Sequence, residues 1–273
     1  MNGVILASGE CDPSGDIVIC APDNVIELFS FKEALFSIGP FDFTRTVLLI
    51  FFAMAVVLAM IFFGLRRSEL VPTKFGTMIE SLMTFVRNDI ARGIIGPEGD
   101  KYFPWLISIF LFILVTNTFE VWPLINFPLT SRMGIPITLA AITYVVFVFV
   151  GFKTNGISYL TGIIWPKSVP ILLRPLVGLI EFFSIFLLRP LTLAVRLFAN
   201  LVAGHLMLTL LLVSGVVFIS NIGDIGPKAI WGVAWFAVGM GIFLFEIVVI
   251  VLQAYIFTLL SAVYVETSLH AEH

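Results

Sequence analysis

The chain has 273 residues, 59% of them hydrophobic and only 12% charged, with a net charge of −3 and a mean hydropathy of +1.09. A soluble domain carries about 25% charged residues, so this chain cannot present a water-facing surface all round, and the lipid bilayer is its solvent. No basic run resembles a nucleic-acid footprint, so no nucleic acid is expected as a partner.

Residues 1–42 are polar and acidic, with Asp12, Asp16, Asp23, Glu27, Glu33 and Asp42 against Lys32, and read as an exposed, weakly ordered extracytoplasmic lead-in. Cys11 and Cys20 lie there without a nearby His or further Cys to complete a metal site. Two readings are open for them: a disulfide, if the segment is exported and oxidised, or two free thiols. No basic stretch followed by an apolar core opens the chain, so a cleaved signal peptide is not expected.

From about residue 43 onward the chain reads as one membrane domain. A first span at about 46–65 matches the roughly 20 apolar residues that cross hydrocarbon, and Arg66 and Arg67 stop it. At about 72–95, Phe75, Met78, Ile79, Leu82 and Phe85 are spaced among cations, which predicts an amphipathic helix lying at the interface. Spans follow at about 103–122, with Trp105 and Trp122 as interface anchors, and at about 136–152. The run at about 171–220 would make a helix of about 75 Å, more than twice the hydrocarbon thickness, so it must bend, break or tilt. Pro175 and Pro190 are the candidate bends. The last run, about 229–265, is also too long for one upright crossing. The expected fold is therefore all-α and polytopic, with about five membrane-embedded helices, the last two long and tilted.

Arg66, Arg67, Lys74, Arg87, Arg92, Lys101, Lys153, Lys167 and Arg174 fall on one side of this scheme, against Lys32, Arg45, Arg132 and Lys228 on the other. The positive-inside rule then puts the N-terminus outside and the C-terminus in the cytoplasm.

Arg196 stands deep in an otherwise apolar stretch. A charge at the bilayer centre costs at least about 2.5–3.5 kcal/mol on insertion scales, so such an arginine normally faces a cavity, an ion path or a carboxylate. Arg189, Thr192, Ala199, Asn200 and Ala203 share its helical face, and small residues there let another helix approach closely. Arg189 is read as snorkelling to the interface. His205 is nine residues on, about 180° round the helix, so it faces back into the protein, where the last helix offers Glu246. That pair is either a proton relay or a neutral structural pair. Gln253, two turns from Glu246, either holds the Arg196 guanidinium or makes an ordinary interhelical hydrogen bond. Glu181 marks either a second water-accessible path or an interfacial carboxylate, and Asn117 and Glu120 are candidates for an outer vestibule.

No nucleotide-binding glycine loop, His-Glu-x-x-His motif or Gly-x-Ser-x-Gly elbow marks an enzyme, and no cofactor or metal is called for. Three classes remain: a charge-transfer subunit, a self-contained channel or secondary transporter with Arg196 binding an anion, and a structural scaffold. The second lacks the internal repeats common in transporters, and the third leaves Arg196, His205 and Glu246 unexplained.

The string RPLTLAVRLFANLVAGH at 189–205 resembles the signature of subunit a of F-type ATP synthases. The likeness extends to LQAYIFTLL at 252–260 and more loosely to 85–97 and 103–122, while VRNDIARGIIG at 86–96 and EFFS at 181–184 are similar to actinobacterial members. The resemblance implies a non-catalytic stator subunit in a bacterial plasma membrane. Its expected partners are a ring of small two-helix rotor subunits, a peripheral-stalk subunit and the remaining synthase subunits. It implies that Arg196 faces the ring carboxylates with Thr192, Asn200 and Gln253 beside it. It further implies that His205 and Glu246 lie on the outer proton path and that Glu181 lines the inner exit. An extra residue between Glu181 and Arg196, relative to some members, puts the facing of Glu181 in question.

Overall fold

The computed structural model describes residues 34–38, 41–65, 74–122, 129–165, 170–221, 223, 226 and 229–270. The lead-in before residue 34 with Cys11 and Cys20, the Arg66 and Arg67 stop, and Lys167 lie outside the described residues. Eight α-helices are described: α1 (Arg45–Leu65), α2 (Lys74–Phe85), α3 (Phe103–Val121), α4 (Gly134–Asn155), α5 (Ser158–Ile164), α6 (Arg174–Phe183), α7 (Arg189–Ser220) and α8 (Ala229–Leu269). Among the described residues, five helical stretches are long and apolar enough to cross a membrane: α1, α3, α4, the α6–α7 run and α8. The molecule is an all-α polytopic membrane protein.

A short departure precedes α1. Strands β1 (Ala34–Ile38) and β2 (Phe41–Thr44) pair antiparallel, with Ile38 opposite Phe41 and Ser37 opposite Asp42. The weakly ordered reading of the lead-in missed this pair. Phe, Ile and Thr favour strands, and the intervening sequence is the turn-forming dipeptide Gly39-Pro40.

The centre of the bundle is α3, 61% buried against 17% of α1. Leu106, Leu111 and Ile113 are fully enclosed there, together with Phe147 of α4, Leu193 and Leu197 of α7, and Ala254 and Phe257 of α8. α1 touches this core through Phe52, stacked on Phe119 of α3 with ring centroids 5.8 Å apart. Its Phe51, Leu58 and Phe62 point away from the protein, as expected where hydrocarbon is the solvent.

α7 and α8 run antiparallel and pack along their length. Glycines set the spacing. A Cβ on Gly215 would lie 2.9 Å from Phe236, one on Gly232 2.7 Å from Phe218, and one on Gly239 2.8 Å from Leu212. Apolar helix surfaces gain little from leaving lipid, so close backbone approach through small residues is a main source of attraction.

Neither proline of the long run kinks a regular helix. Pro175 occupies the first turn of α6, where its missing N–H has no intrahelical acceptor to leave unpaired. Pro190 likewise opens α7 and follows a π-helical turn, Ser184–Leu188, in which the Arg189 N–H reaches the Ser184 carbonyl. The wide turn accommodates the donor that Pro190 cannot supply to residue 186, so the helical path continues through the candidate bend.

Candidate functional site

Arg196 sits half-buried on α7. On one side of it Leu193, Ala194, Leu197 and Leu201 are buried against the bundle, while Leu191, Val195, Ala199, Asn200 and Ala203 are exposed. Both sets follow from the 3.6-residue repeat. Thr192 Oγ1 donates to the Leu188 carbonyl at 2.8 Å, with the Arg189 carbonyl at 3.1 Å, so its hydroxyl proton is committed to its own helix. The Asn200 amide, Nδ2, donates to Gln253 Oε1 of α8 at 2.9 Å. Gln253 is 3% exposed, and its Nε2 has no hydrogen-bond partner among the described residues. A buried amide left half-satisfied costs free energy.

Asn200 and Gln253 belong to a narrow cleft between α3, α7 and α8. Asn117 of α3 and Glu246 of α8 complete its polar lining, against Leu197, Leu201 and Ile250. Asn117 Oδ1 accepts from Thr130 Oγ1 at 3.0 Å, which fixes its amide. Glu246 is buried and packs on Gly204: a Cβ built there would come within 2.5–2.7 Å of the carboxylate.

His205 takes its carboxylate from α3. Nδ1 of His205 lies 3.6 Å from Oε1 of Glu120, at ion-pair distance but longer than a hydrogen bond. The side chain of Glu120 is fully buried, and neither oxygen has a hydrogen-bond partner among the described residues. Glu246 therefore faces Gly204 and the cleft, and Glu120 faces His205. The sequence reading gave Glu120 only a vestibule role; the signal for more was an acidic residue inside an apolar span.

Glu181 is exposed on α6 and stands apart from the cleft. The π turn Ser184–Leu188 lies between it and Arg196. Fifteen residues of pure α-helix would set the two side chains about 60° apart, and a π turn lags that rotation by roughly one residue. A lag of one residue is about 100°, which carries Glu181 to about 40° on the other side of the Arg196 direction.

Arg189, read in the sequence as reaching for the interface, donates from Nη1 to Thr267 Oγ1 of α8 at 3.1 Å. Trp105 is packed, with its indole Nε1 buried, whereas Trp122 is half exposed.

Ahead of α3, the helix at 72–95 is α2 continued by a π-helical segment, Val86–Ile95, and a 3₁₀ turn, Gly96–Lys101. Arg92 grips Asp100 through Nε at 3.0 Å and Nη2 at 2.7 Å, and Arg87 Nε adds 2.9 Å. The hydrogen bonds from Arg92, then Arg87, hold the Asp100 carboxyl far below the usual carboxylate range, and the same contact raises Arg92. These charges are exposed and stand outside the cleft.

Residues 47–266 match the family described as ATP synthase A chain. Among the relatives named ATP synthase subunit a, that of Frankia alni is 38% identical over 84% of this chain and 78% of its own length. That of Rhodococcus erythropolis is 39% identical over 88% of this chain and 87% of its own length. That of Streptomyces lividans is 36% identical, with 85% and 81% covered. The match takes in every helix that lines the cleft, and the chain belongs to the ATP synthase A chain family.

Proposed function

We propose that this chain is the proton-conducting stator subunit of an F-type ATP synthase membrane sector, its Arg196 exchanging with carboxylates on a ring of small rotor subunits. The observation that carries the reading is the juxtaposition at α7. Four polar side chains from three helices (Asn117, Asn200, Glu246 and Gln253) converge on one cleft, beside a half-buried Arg196 whose outward helix face is uncovered. Family membership supports the same role.

In this mechanism His205, Glu120 and Glu246 form the outer proton path, and the cleft delivers the proton to a ring carboxylate. Asn200 and Gln253 flank the point of transfer. Arg196 receives each returning carboxylate as an anion, favours release of its proton towards Glu181, and bars direct passage between the two paths by its fixed charge. Each elementary charge moved down 100 mV supplies about 2.3 kcal/mol, so several must be summed by rotation before one ATP is made in other subunits. The N-terminus is outside and the C-terminus cytoplasmic.

Arg196→Ala tests the reading. It should abolish ATP-driven acidification of membrane vesicles while complex abundance stays near normal, since removing the charge also removes an insertion cost of about 2.5–3.5 kcal/mol. Passive proton leak in vesicles stripped of the catalytic head should rise. Near-normal coupled pumping in the variant would overturn the role of Arg196 and the stator mechanism together.

A further inference from the structure

Arg189 lies seven residues before Arg196, so the two project from nearly the same stripe of α7 about 10 Å apart along the axis. Its guanidinium is held on two sides. Nη1 donates to Thr267 Oγ1 at 3.1 Å, and the guanidinium carbon sits 5.1 Å from the centre of the Tyr264 ring. Thr267 in turn donates its hydroxyl proton to the Tyr264 carbonyl at 3.1 Å, which leaves its oxygen lone pairs turned to the arginine. The same last turns of α8 are gripped from the other side. Asn155 Nδ2 donates to the Ser268 carbonyl at 2.9 Å, and the Tyr159 hydroxyl lies 3.3 Å from Ser268 Oγ.

Along α7, then, Arg196 is bracketed by two side-chain bridges to α8: Arg189 to Thr267 on one side, Asn200 to Gln253 on the other. We propose that Arg189 is a positioning residue for the Arg196 reaction, fastening the C-terminal end of α8 so that Gln253 stays in register with Asn200. The inference rests on the stator reading above. Its physical basis is that α8 is apolar over most of its 41 residues, and apolar helix surfaces in lipid give little directional restraint along the axis. A slip of one residue moves a helix about 1.5 Å and turns it about 100°. Such a slip would carry Gln253 off the Asn200 amide and out of the cleft. A cation near a helix C-terminus is also favoured by the macrodipole, and the flat guanidinium can donate and stack at once, which an ammonium does less well.

The experiment compares Arg189→Gln, Arg189→Lys, Thr267→Val and the Arg189→Gln/Thr267→Val double variant in the whole complex. The readout is the ratio of proton pumping to ATP hydrolysis per assembled complex, with passive leak measured in parallel. A clasp that served stability alone would lower abundance and leave that ratio untouched. Arg189→Gln and Thr267→Val should each lower the ratio by about threefold to tenfold, the size expected for losing one ordinary intramolecular hydrogen bond. The double variant should be no worse than Arg189→Gln alone, because the two residues make one contact. Arg189→Lys should recover at least half of the loss. Wild-type ratios in both single variants, or additive losses in the double, overturn the proposal. If Arg189→Gln fails to assemble, Thr267→Val decides the matter, since it removes the acceptor and keeps the shape. An inert Arg189→Gln beside an uncoupled Arg196→Ala would sink the positioning role alone, whereas a coupled Arg196→Ala would sink the stator reading beneath it.

Discussion

At the scale of the residue, the acidic groups divide by what surrounds them. Glu246 rests on Gly204 at the cleft, while Glu120 stands behind His205, both of its oxygens without a hydrogen-bond partner among the described residues. If both carry protons on one path, Glu246→Gln and Glu120→Gln should each slow ATP-driven acidification by about a hundredfold or more, the lower part of the range for losing a positioned acid or base. Glu246→Gln should leave abundance normal. Unchanged flux at normal abundance in both variants would remove the outer path as drawn. Gly204→Ala separates position from chemistry. Its new methyl group meets the mobile end of Glu246, not backbone, so the carboxylate swings aside at little cost in packing. Pumping should fall about threefold to tenfold while thermal stability of the complex changes by less than about 1 kcal/mol; a large loss of stability with pumping intact would contradict this.

At the scale of the element, the α7–α8 pair depends on glycine contacts with backbone. A Cβ at Gly232 would sit 2.7 Å from the Phe218 Cβ and 3.0 Å from the Ile219 amide nitrogen, and neither atom can rotate away. Gly232→Ala should therefore destabilise the helix pair by about 1–3 kcal/mol, the usual cost of overpacking. The check is the amount of complex recovered after heating, compared with Gly241→Ala, whose added Cβ would meet open space. Equal recovery of the two variants would show that the glycine seam is not what sets the helix spacing. The π turn Ser184–Leu188 belongs to this scale too. It lets the α6–α7 run carry a proline without breaking.

At the scale of the whole molecule, the uncovered α7 face and the overlong α7 and α8 call for a partner inside the membrane. Small exposed residues, Ala199 and Ala203, leave room for helices to pass close to Arg196. Gentle detergent purification should recover the chain with a ring of small two-helix subunits and a peripheral-stalk subunit, identified by mass spectrometry of the intact complex. A fully active transporter made of this chain alone would overturn the partner assignment.

The membrane class, the presence of long apolar helices and the isolation of Arg196 were legible in the sequence because they depend on composition and on the period of one helix at a time. Hydrocarbon thickness and the cost of a buried charge act on each segment alone. What the single-helix period could not decide is which helix stands opposite. The partner of His205 is Glu120 on α3, and that of Asn200 is Gln253 at 53 residues' distance. Arg189, read as an interfacial cation, is bound to Thr267 at 78 residues' distance. The π turn escaped for a related reason, since Pro190 signals a lost donor but not whether the chain kinks or widens to accommodate it. Those outcomes were decided by the crossing of α3, α7 and α8, where glycine contacts fix how closely the helices approach and hence which polar groups meet.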